Sequence, residues 1–270
     1  MTAPFELHQG TIPLLVSMPH PGTALTPEVA AGLSPRARRL EDTDWHIPQL
    51  YQQIAGLGAS TLCAGYSRYV VDLNRPADDT PLYASATTGL FSDIFFDGEP
   101  LFIPGGQPDQ HAKDQILAKI WRPYHQALND ELARLRARFG YVLLWDAHSI
   151  KSVVPRLFEG RLPDMNFGTA DGASCDPSLS AALLDICANP PPGVPHYRYV
   201  LNGRFKGGYI TRHYGDPQRH IHAVQLEMAQ AIYMDECSFG WQAAAAGQVQ
   251  QLLHALITAA LAWGERRYRG

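Results

Sequence analysis

The chain has 270 residues, of which 46% are hydrophobic and 18% charged, and its net charge is −4. This weak negative charge gives no electrostatic reason to expect nucleic acid or an anionic membrane as a partner. No apolar run approaches the ~18 residues of a membrane-spanning helix. The four cysteines form no Cys-x-x-Cys pair, which argues against a zinc ribbon or a disulfide framework. Because residues 1–10 also lack the regions of a signal peptide, we expect one reduced, cytoplasmic domain over residues 1–270.

The first apolar run, residues 11–18, is predicted to be a strand. It ends in a turn in which Pro21 and Gly22 restrict the backbone just after His20. Further along, Asp42 and Asp44 precede a helical pattern that extends to residue 57. Either aspartate is a suitable residue to cap that helix.

Residues 60–74 alternate and are rich in β-formers, which predicts one bent strand or a pair of strands. Arg68 lies midway along this stretch, and Asn74 and Arg75 lie at its end. Residues 76–110 hold many Pro, Gly, Asp and Thr, so we expect a long irregular excursion, which is usually functional when ordered. Residues 110–138 then have helical spacing.

The central apolar run begins at Tyr141 and ends abruptly in Asp146, His148 and Ser149. A short run of this kind is typical of a buried strand in a parallel sheet. In open α/β sheets, ligands bind at the carboxyl ends of the strands. His148 is therefore a candidate ligand or catalytic residue, and Asp146 is a candidate for orienting a ligand histidine.

The remainder of the chain continues the α/β pattern. Asp176 and Pro177 are predicted to begin a helix, and a short strand is expected at 197–201. A glycine-rich segment, 202–215, carries Arg204 and Arg212. Residues 221–228 are predicted to form a strand, with Glu227 near its end. An Ala- and Leu-rich helix is predicted from 241 to 263.

The polar residues at these predicted strand ends form a chemically consistent set. Two histidines and one carboxylate, with a fourth position open to water, are common ligands of catalytic zinc. Such a metal lowers the pKa of water to about 7, and a further carboxylate can move protons. Arginines at the same edge would bind a carboxylate substrate through two hydrogen bonds. From the residues alone, Asp42 and Asp44 remain alternatives for the acidic ligand.

Five segments of the sequence resemble the N-formylglutamate amidohydrolase family. They are residues 17–22 (SMPHPG), 42–46 (DTDWH), 71–75 (VDLNR), 145–149 (WDAHS) and 224–227 (VQLE). The segment 207–212 (GGYITR) resembles the deformylase branch that acts in histidine degradation. The resemblance implies a fold similar to zinc carboxypeptidases and aspartoacylases, with a mixed, mostly parallel sheet of about eight strands between helices. It also implies hydrolysis of N-formyl-L-glutamate to L-glutamate and formate.

The resemblance further implies roles for individual residues. Asp44 is preferred to Asp42 as the acidic ligand, because the family's acidic residue directly precedes the aromatic one. Glu227 would be the general base and acid, and Arg68 would polarise the scissile carbonyl. The implied zinc ligands are His20, Asp44 and His148; Asn74 and Arg75 would hold the α-carboxylate, and Arg204 or Arg212 the γ-carboxylate.

Two other readings of the sequence remain open. The first is an enzyme that deacylates another N-acyl amino acid or cleaves C-terminal peptide bonds. The second is a non-catalytic module that binds small dicarboxylates through its arginines. Such a module needs no His/Asp/His set, so metal content separates it from the enzymes.

Overall fold

The computed structural model describes residues 2–82 and 87–269. Its strands are β1 (Phe5–His8), β2 (Leu14–Met18), β3 (Ser60–Ala64), β4 (Val142–Ile150), β5 (Met165–Gly168), β6 (Tyr199–Leu201), β7 (Ile221–Ala229), β8 (Met234–Asp235) and β9 (Gly240–Trp241). The first seven form one sheet in the order β1-β3-β2-β4-β7-β5-β6, and the last two form a small ribbon. Among the described strands of the large sheet, β1–β3 and β5–β7 are the antiparallel pairs, and the others are parallel. The fold is the predicted mixed, mostly parallel α/β sheet, with seven strands rather than about eight.

The two longest strands, β4 and β7, lie side by side at the centre. They are buried along almost their whole length, and they pair in register over nine residues. Both faces of a parallel sheet are covered by other elements, which is why these strands read as continuous apolar runs. The register places His148 directly beside Glu227.

Helices cover both faces of the sheet. They are α1 (Pro27–Gly32), α2 (Ile47–Leu50), α3 (Gln52–Gly56), α4 (Gln110–Ile116), α5 (Arg122–Phe139), α6 (Pro177–Ala188), α7 (Tyr209–Tyr214) and α8 (Ala243–Tyr268). One apolar core lies between the sheet and α2, α3, α6 and α8, and the other between the sheet and α1, α4, α5 and α7. The predicted start of α6 is confirmed, because the Asp176 side chain accepts a hydrogen bond from Ser178 N–H. A π-helical turn, Leu117–Trp121, joins α4 to α5.

Two local predictions were wrong. The chain leaves the sheet at Ala64, so Arg68, Asn74 and Arg75 lie in turns rather than along or at the end of a strand. The two aspartates do not cap α2, because their side chains have other partners. Asp42 accepts a hydrogen bond from Phe96 N–H at 3.1 Å, and Asp44 accepts one from Ser149 N–H at 3.2 Å.

The irregular excursion is present where it is described: residues 76–82 and 87–109 contain neither helix nor strand. Residues 83–86 of that excursion lie outside the described residues. Strands β1, β5, β8 and β9 were not predicted; β5 is four residues long and lies inside a stretch rich in turn residues. Among the described helices, none combines the length and apolarity needed to cross a bilayer.

Candidate metal centre and active-site cleft

Three potential metal ligands converge at the carboxyl edge of the sheet. His20 follows β2, His148 lies on the neighbouring strand β4, and Asp44 lies in the loop before α2. Their side chains are almost fully buried, and their ligand atoms lie within 4.8 Å of one another. The backbone helps to hold Asp44 in place, because its N–H donates to the His20 carbonyl at 3.1 Å. The sequence-predicted set His20, Asp44 and His148 is thus brought together, whereas Asp42 is directed to Phe96.

Each histidine has a carboxylate on its second ring nitrogen. His20 Nε2 lies 2.8 Å from Asp72 Oδ1, and His148 Nε2 lies 3.1 Å from Asp146 Oδ1. The Asp72 carboxylate places the proton of His20 on Nε2, orients the ring and leaves the Nδ1 lone pair for a metal. At His148, the Asn74 amide nitrogen also lies 2.9 Å from Nε2. Asp146 therefore has the orienting position that was predicted, and Asp72 has the equivalent position for His20.

The geometry on the Nδ1 side fits a cation. The Nδ1 atoms of His20 and His148 lie 3.2 Å apart. Asp44 Oδ2 lies 3.8 Å from His20 Nδ1 and 3.0 Å from His148 Nδ1. The two ring nitrogens and the Asp44 oxygen are all able to accept at this spacing, and a positive charge between them satisfies all three. Burial alone would lower the pKa of His148, but Asp146 and Asp44 hold it well above its ordinary value, because a proton on Nδ1 supplies such a charge. The same donor set suits a divalent zinc ion.

Arg68 connects the two carboxylates on the His20 side of the centre. Its Nη2 lies 2.8 Å from Asp72 Oδ2 and its Nη1 3.5 Å from Asp44 Oδ1. The ring of Phe96 lies against the guanidinium, 4.5 Å from its central carbon. Burial would raise the pKa of Asp72, but His20, Arg68 and Arg75 hold it well below its usual range. Arg68 is thus fixed beside the ligands with its face covered by an aromatic ring.

Glu227 is suited to moving protons. It is buried beside His148 on the adjacent strand, and burial raises its pKa to about 8. Gln225, two residues earlier on the same face of β7, donates to Glu227 Oε2 at 3.3 Å and accepts from Gly208 N–H at 2.7 Å. A carboxyl group with a pKa near neutrality can both take up and release a proton at the working pH.

The segment 73–75 is held from three directions. Trp121 Nε1 donates to the Arg75 carbonyl at 3.0 Å, His125 Nε2 lies 3.0 Å from the Leu73 carbonyl, and Tyr209 N–H donates to the Asn74 carbonyl at 3.2 Å. The Asn74 side chain is itself engaged: its nitrogen donates to Asp146 Oδ2 at 3.2 Å, and its oxygen accepts from Ile210 N–H at 2.8 Å. Asn74 therefore supports the carboxylate behind His148.

A cleft opens onto these groups. Its walls include the sequence-predicted residues His20, Arg68, Asn74, Arg75, His148, Arg204 and Glu227, together with Thr87, Thr88, Phe96, Ser149, Ile150, Leu157, Phe205, Gly208 and Gln225. Arg212 is absent from these walls; its Nε donates to the Gly207 carbonyl at 2.8 Å. Arg204 Nε donates to the Leu157 carbonyl at 2.6 Å.

Glycines of the segment 202–215 bring its backbone close to other parts of the chain. Gly208 lines the cleft, but a side chain at this position would meet another part of the protein. A Cβ at Gly208 would lie 2.4 Å from the Asn74 amide nitrogen, and Gly207, with φ +107°, packs against Gly168. These glycines let α7 approach the sheet and the Asn74 side chain.

A family model described as N-formylglutamate amidohydrolase matches residues 12–234. The chain belongs to the N-formylglutamate amidohydrolase family. An N-formylglutamate deformylase of Pseudomonas aeruginosa is 59% identical over 261 residues, covering 96% of this chain and 97% of that protein. Another, from Pseudomonas putida, is 56% identical and covers 98% of both chains. The solved N-formylglutamate amidohydrolase from Ralstonia eutropha JMP134 superposes with a TM-score of 0.81 at 23% identity, covering 96% of this chain and 97% of its own.

Sequence reasoning assigned no role to several residues of this family member's site. Asp72 was visible within the family segment 71–75, but its contact with His20 depends on the fold. Gln230 and Tyr233 lie behind the metal ligands: Gln230 Nε2 donates to the Thr43 carbonyl at 2.9 Å, and Tyr233 lies 2.9 Å from the Trp45 carbonyl and 2.8 Å from Ser149 Oγ. These two side chains connect the residues around Asp44 to the residue after His148.

Proposed function

We propose that this chain is a zinc-dependent deformylase that hydrolyses N-formyl-L-glutamate to L-glutamate and formate. The observation that carries the proposal is the convergence of the ligand atoms of His20, Asp44 and His148 beside Glu227 in one arginine-lined cleft. The names of the relatives at 56–59% identity support the choice of substrate. On this proposal the enzyme acts in histidine degradation in the cytoplasm.

A zinc ion held by His20, Asp44 and His148 would polarise the formyl carbonyl and make water more acidic. Glu227 takes the proton from the attacking water, because its carboxylate faces the ligand histidine across two paired strands. It then passes that proton to the nitrogen of the leaving glutamate. Arg68 donates to the developing negative charge on the carbonyl oxygen, which is a large contribution when the donor is already in place.

The arginines of the cleft would bind the two carboxylates of the substrate. We assign the α-carboxylate to Arg75, whose guanidinium presents a planar pair of donors and which lines the cleft. Asn74 was predicted to share this role, but its amide is already engaged by Asp146 and Ile210. For the γ-carboxylate we keep both predicted candidates, Arg204 and Arg212. Of the two, Arg204 has the stronger support because it lines the cleft.

The test is formate release from N-formyl-L-glutamate, compared with N-formyl-L-aspartate and N-acetyl-L-glutamate, by protein of measured metal content. We expect one zinc per chain and the highest kcat/KM with N-formyl-L-glutamate. Preference for the acetyl compound would instead indicate a deacylase of another N-acyl amino acid. Binding of glutamate without hydrolysis of any compound would indicate the non-catalytic module.

A further inference from the structure

The segment that follows β7 places two polar side chains deep in the protein. A 3₁₀ turn, Gln230–Ile232, comes directly after the strand. One short stretch of chain therefore carries Glu227 and, a few residues later, Gln230 and Tyr233. The side chains of Gln230 and Tyr233 are almost fully buried, and polar groups at such depth need hydrogen-bond partners.

The partners of these two side chains lie on either side of Asp44. Gln230 Nε2 donates to the Thr43 carbonyl at 2.9 Å, and the Tyr233 hydroxyl donates to the Trp45 carbonyl at 2.9 Å. Asp44 lies between these two carbonyls in the chain, in a loop without helix or strand. The segment after β7 thus holds the backbone before and after this candidate ligand.

Ser149, the residue after His148, joins the same network. Its N–H donates to Asp44 Oδ2 at 3.2 Å. Its hydroxyl lies 2.8 Å from the Tyr233 hydroxyl and 3.3 Å from Gln230 Nε2. The Asp44 loop and the end of β4 are therefore tied to each other through Tyr233 and Gln230.

The chemistry of the partners fixes the direction of these hydrogen bonds. Burial raises the pKa of Tyr233 well above its ordinary value, so the phenol keeps its single proton. A carbonyl can only accept, so the phenol donates to Trp45 and its oxygen accepts from the Ser149 hydroxyl. The Gln230 amide has two hydrogens, one for the Thr43 carbonyl and one for Ser149 Oγ. Although Ser149 lines the cleft, its proton is used inside the protein.

We propose that Tyr233 is a positioning residue of the metal centre, whose hydroxyl fixes Asp44 relative to His148 by bonding the Trp45 carbonyl and Ser149 at once. This inference rests on the zinc centre of the proposed function. Tyr233 is absent from the walls of the cleft, so it acts through Asp44 and not on the substrate. Partners behind metal ligands contribute about 10- to 100-fold to metal affinity, because they orient the ligands.

Tyr233→Phe removes the hydroxyl and keeps the ring. In chelator-stripped protein, its zinc affinity, measured by competition with a chromophoric chelator, should be about 10- to 100-fold below that of the wild type. Tyr51→Phe is the matched control, because Tyr51 is as deeply buried in the same apolar core and its hydroxyl accepts from Trp145 Nε1 at 2.7 Å. Both variants should lose stability in urea unfolding of the metal-free form, but only Tyr233→Phe should lose zinc affinity.

Ser149→Ala removes the same hydroxyl contact from the other side, and it provides the test if Tyr233→Phe fails to fold. Since the two residues share one hydrogen bond, the loss of zinc affinity in the double variant should be smaller than the product of the two single losses. Wild-type zinc affinity in folded Tyr233→Phe, an equal loss in Tyr51→Phe, or single losses that multiply in full would overturn the inference.

The proposed function can fail separately from this inference. If the wild type binds zinc but releases no formate from N-formyl-L-glutamate, the proposed function fails, and the zinc affinities still decide the role of Tyr233. A wild type that binds no zinc would overturn both.

Discussion

Replacing Asp72 by Asn changes the support of a metal ligand without touching the metal. The Asp72 carboxylate accepts hydrogen bonds from His20 Nε2 at 2.8 Å, from Asn74 N–H at 2.9 Å and from Arg68 Nη2 at 2.8 Å. An asparagine of the same shape can keep its oxygen on His20 and Asn74. Its amide nitrogen must then face Arg68, which places one donor against another and removes the charge.

The expected magnitudes follow from these two losses. Removing the partner carboxylate of a ligand histidine lowers metal affinity by about 10- to 100-fold, or about 1.4–2.7 kcal/mol. Breaking a buried ion pair destabilises a protein by about 3–5 kcal/mol. Here we expect the lower end of that range, because Asp44 Oδ1 still lies 3.5 Å from Arg68 Nη1.

The assay is zinc binding to chelator-stripped protein, measured by competition with a chromophoric chelator, together with urea unfolding of the metal-free form. Asp78→Asn is the matched control, because Asp78 lies in the same region, is exposed and accepts a hydrogen bond from Thr80 N–H. The control should retain wild-type zinc affinity and stability. A folded Asp72→Asn protein with wild-type zinc affinity would refute the reasoning that Asp72 orients His20.

Three further predictions concern the base, the packing and the pH dependence. Glu227→Gln should keep its zinc and fold but lose about 10²-fold or more in kcat, a typical general acid–base contribution; near-normal turnover would move the role elsewhere, first to Asp146. Gly208→Ala should lower the free energy of unfolding by about 1–3 kcal/mol, because the new Cβ meets the Asn74 amide. Gly247→Ala should raise the free energy of unfolding slightly, because this position in α8 has open space around it. Equal effects of the two substitutions would exclude the clash at Gly208. Burial lowers the pKa of His222 to about 4 in the folded protein. As the pH falls below about 6.5, the unfolded chain therefore takes up a proton on His222 that the folded protein does not bind until about pH 4. The free energy of unfolding declines over this pH range. In His222→Gln, the free energy of unfolding from urea titrations should decline less steeply with falling pH. An unchanged slope would contradict the role given to His222.

The residues at the ends of buried strands were the most predictable part of the site. His148 and Glu227 follow or end apolar runs, and parallel neighbours bring such ends to one edge of a sheet. Pairing of β4 with β7 then places the two side by side. His20 follows the same rule, since β2 is the other neighbour of β4.

The residues carried by turns were not predictable in this way. Asp44 and Arg68 were assigned through the family resemblance, and the chain reaches them by turns that have no periodic pattern. The contact of Asp72 with His20 joins residues 52 positions apart, so no local spacing reveals it. Asn74 and Arg75 were expected at a strand end, but the structure holds them through Trp121 and His125, whose placement depends on the π-helical turn before α5.

Metal-dependent formate release tests the central claim most directly. Purified protein should release formate from N-formyl-L-glutamate, lose that activity when zinc is removed by a chelator, and regain it in proportion to zinc added back, up to one ion per chain. His20→Ala and His148→Ala should neither bind zinc nor recover. Full activity in protein shown by elemental analysis to be free of metal, or full metal occupancy in both histidine variants, would contradict the proposed centre.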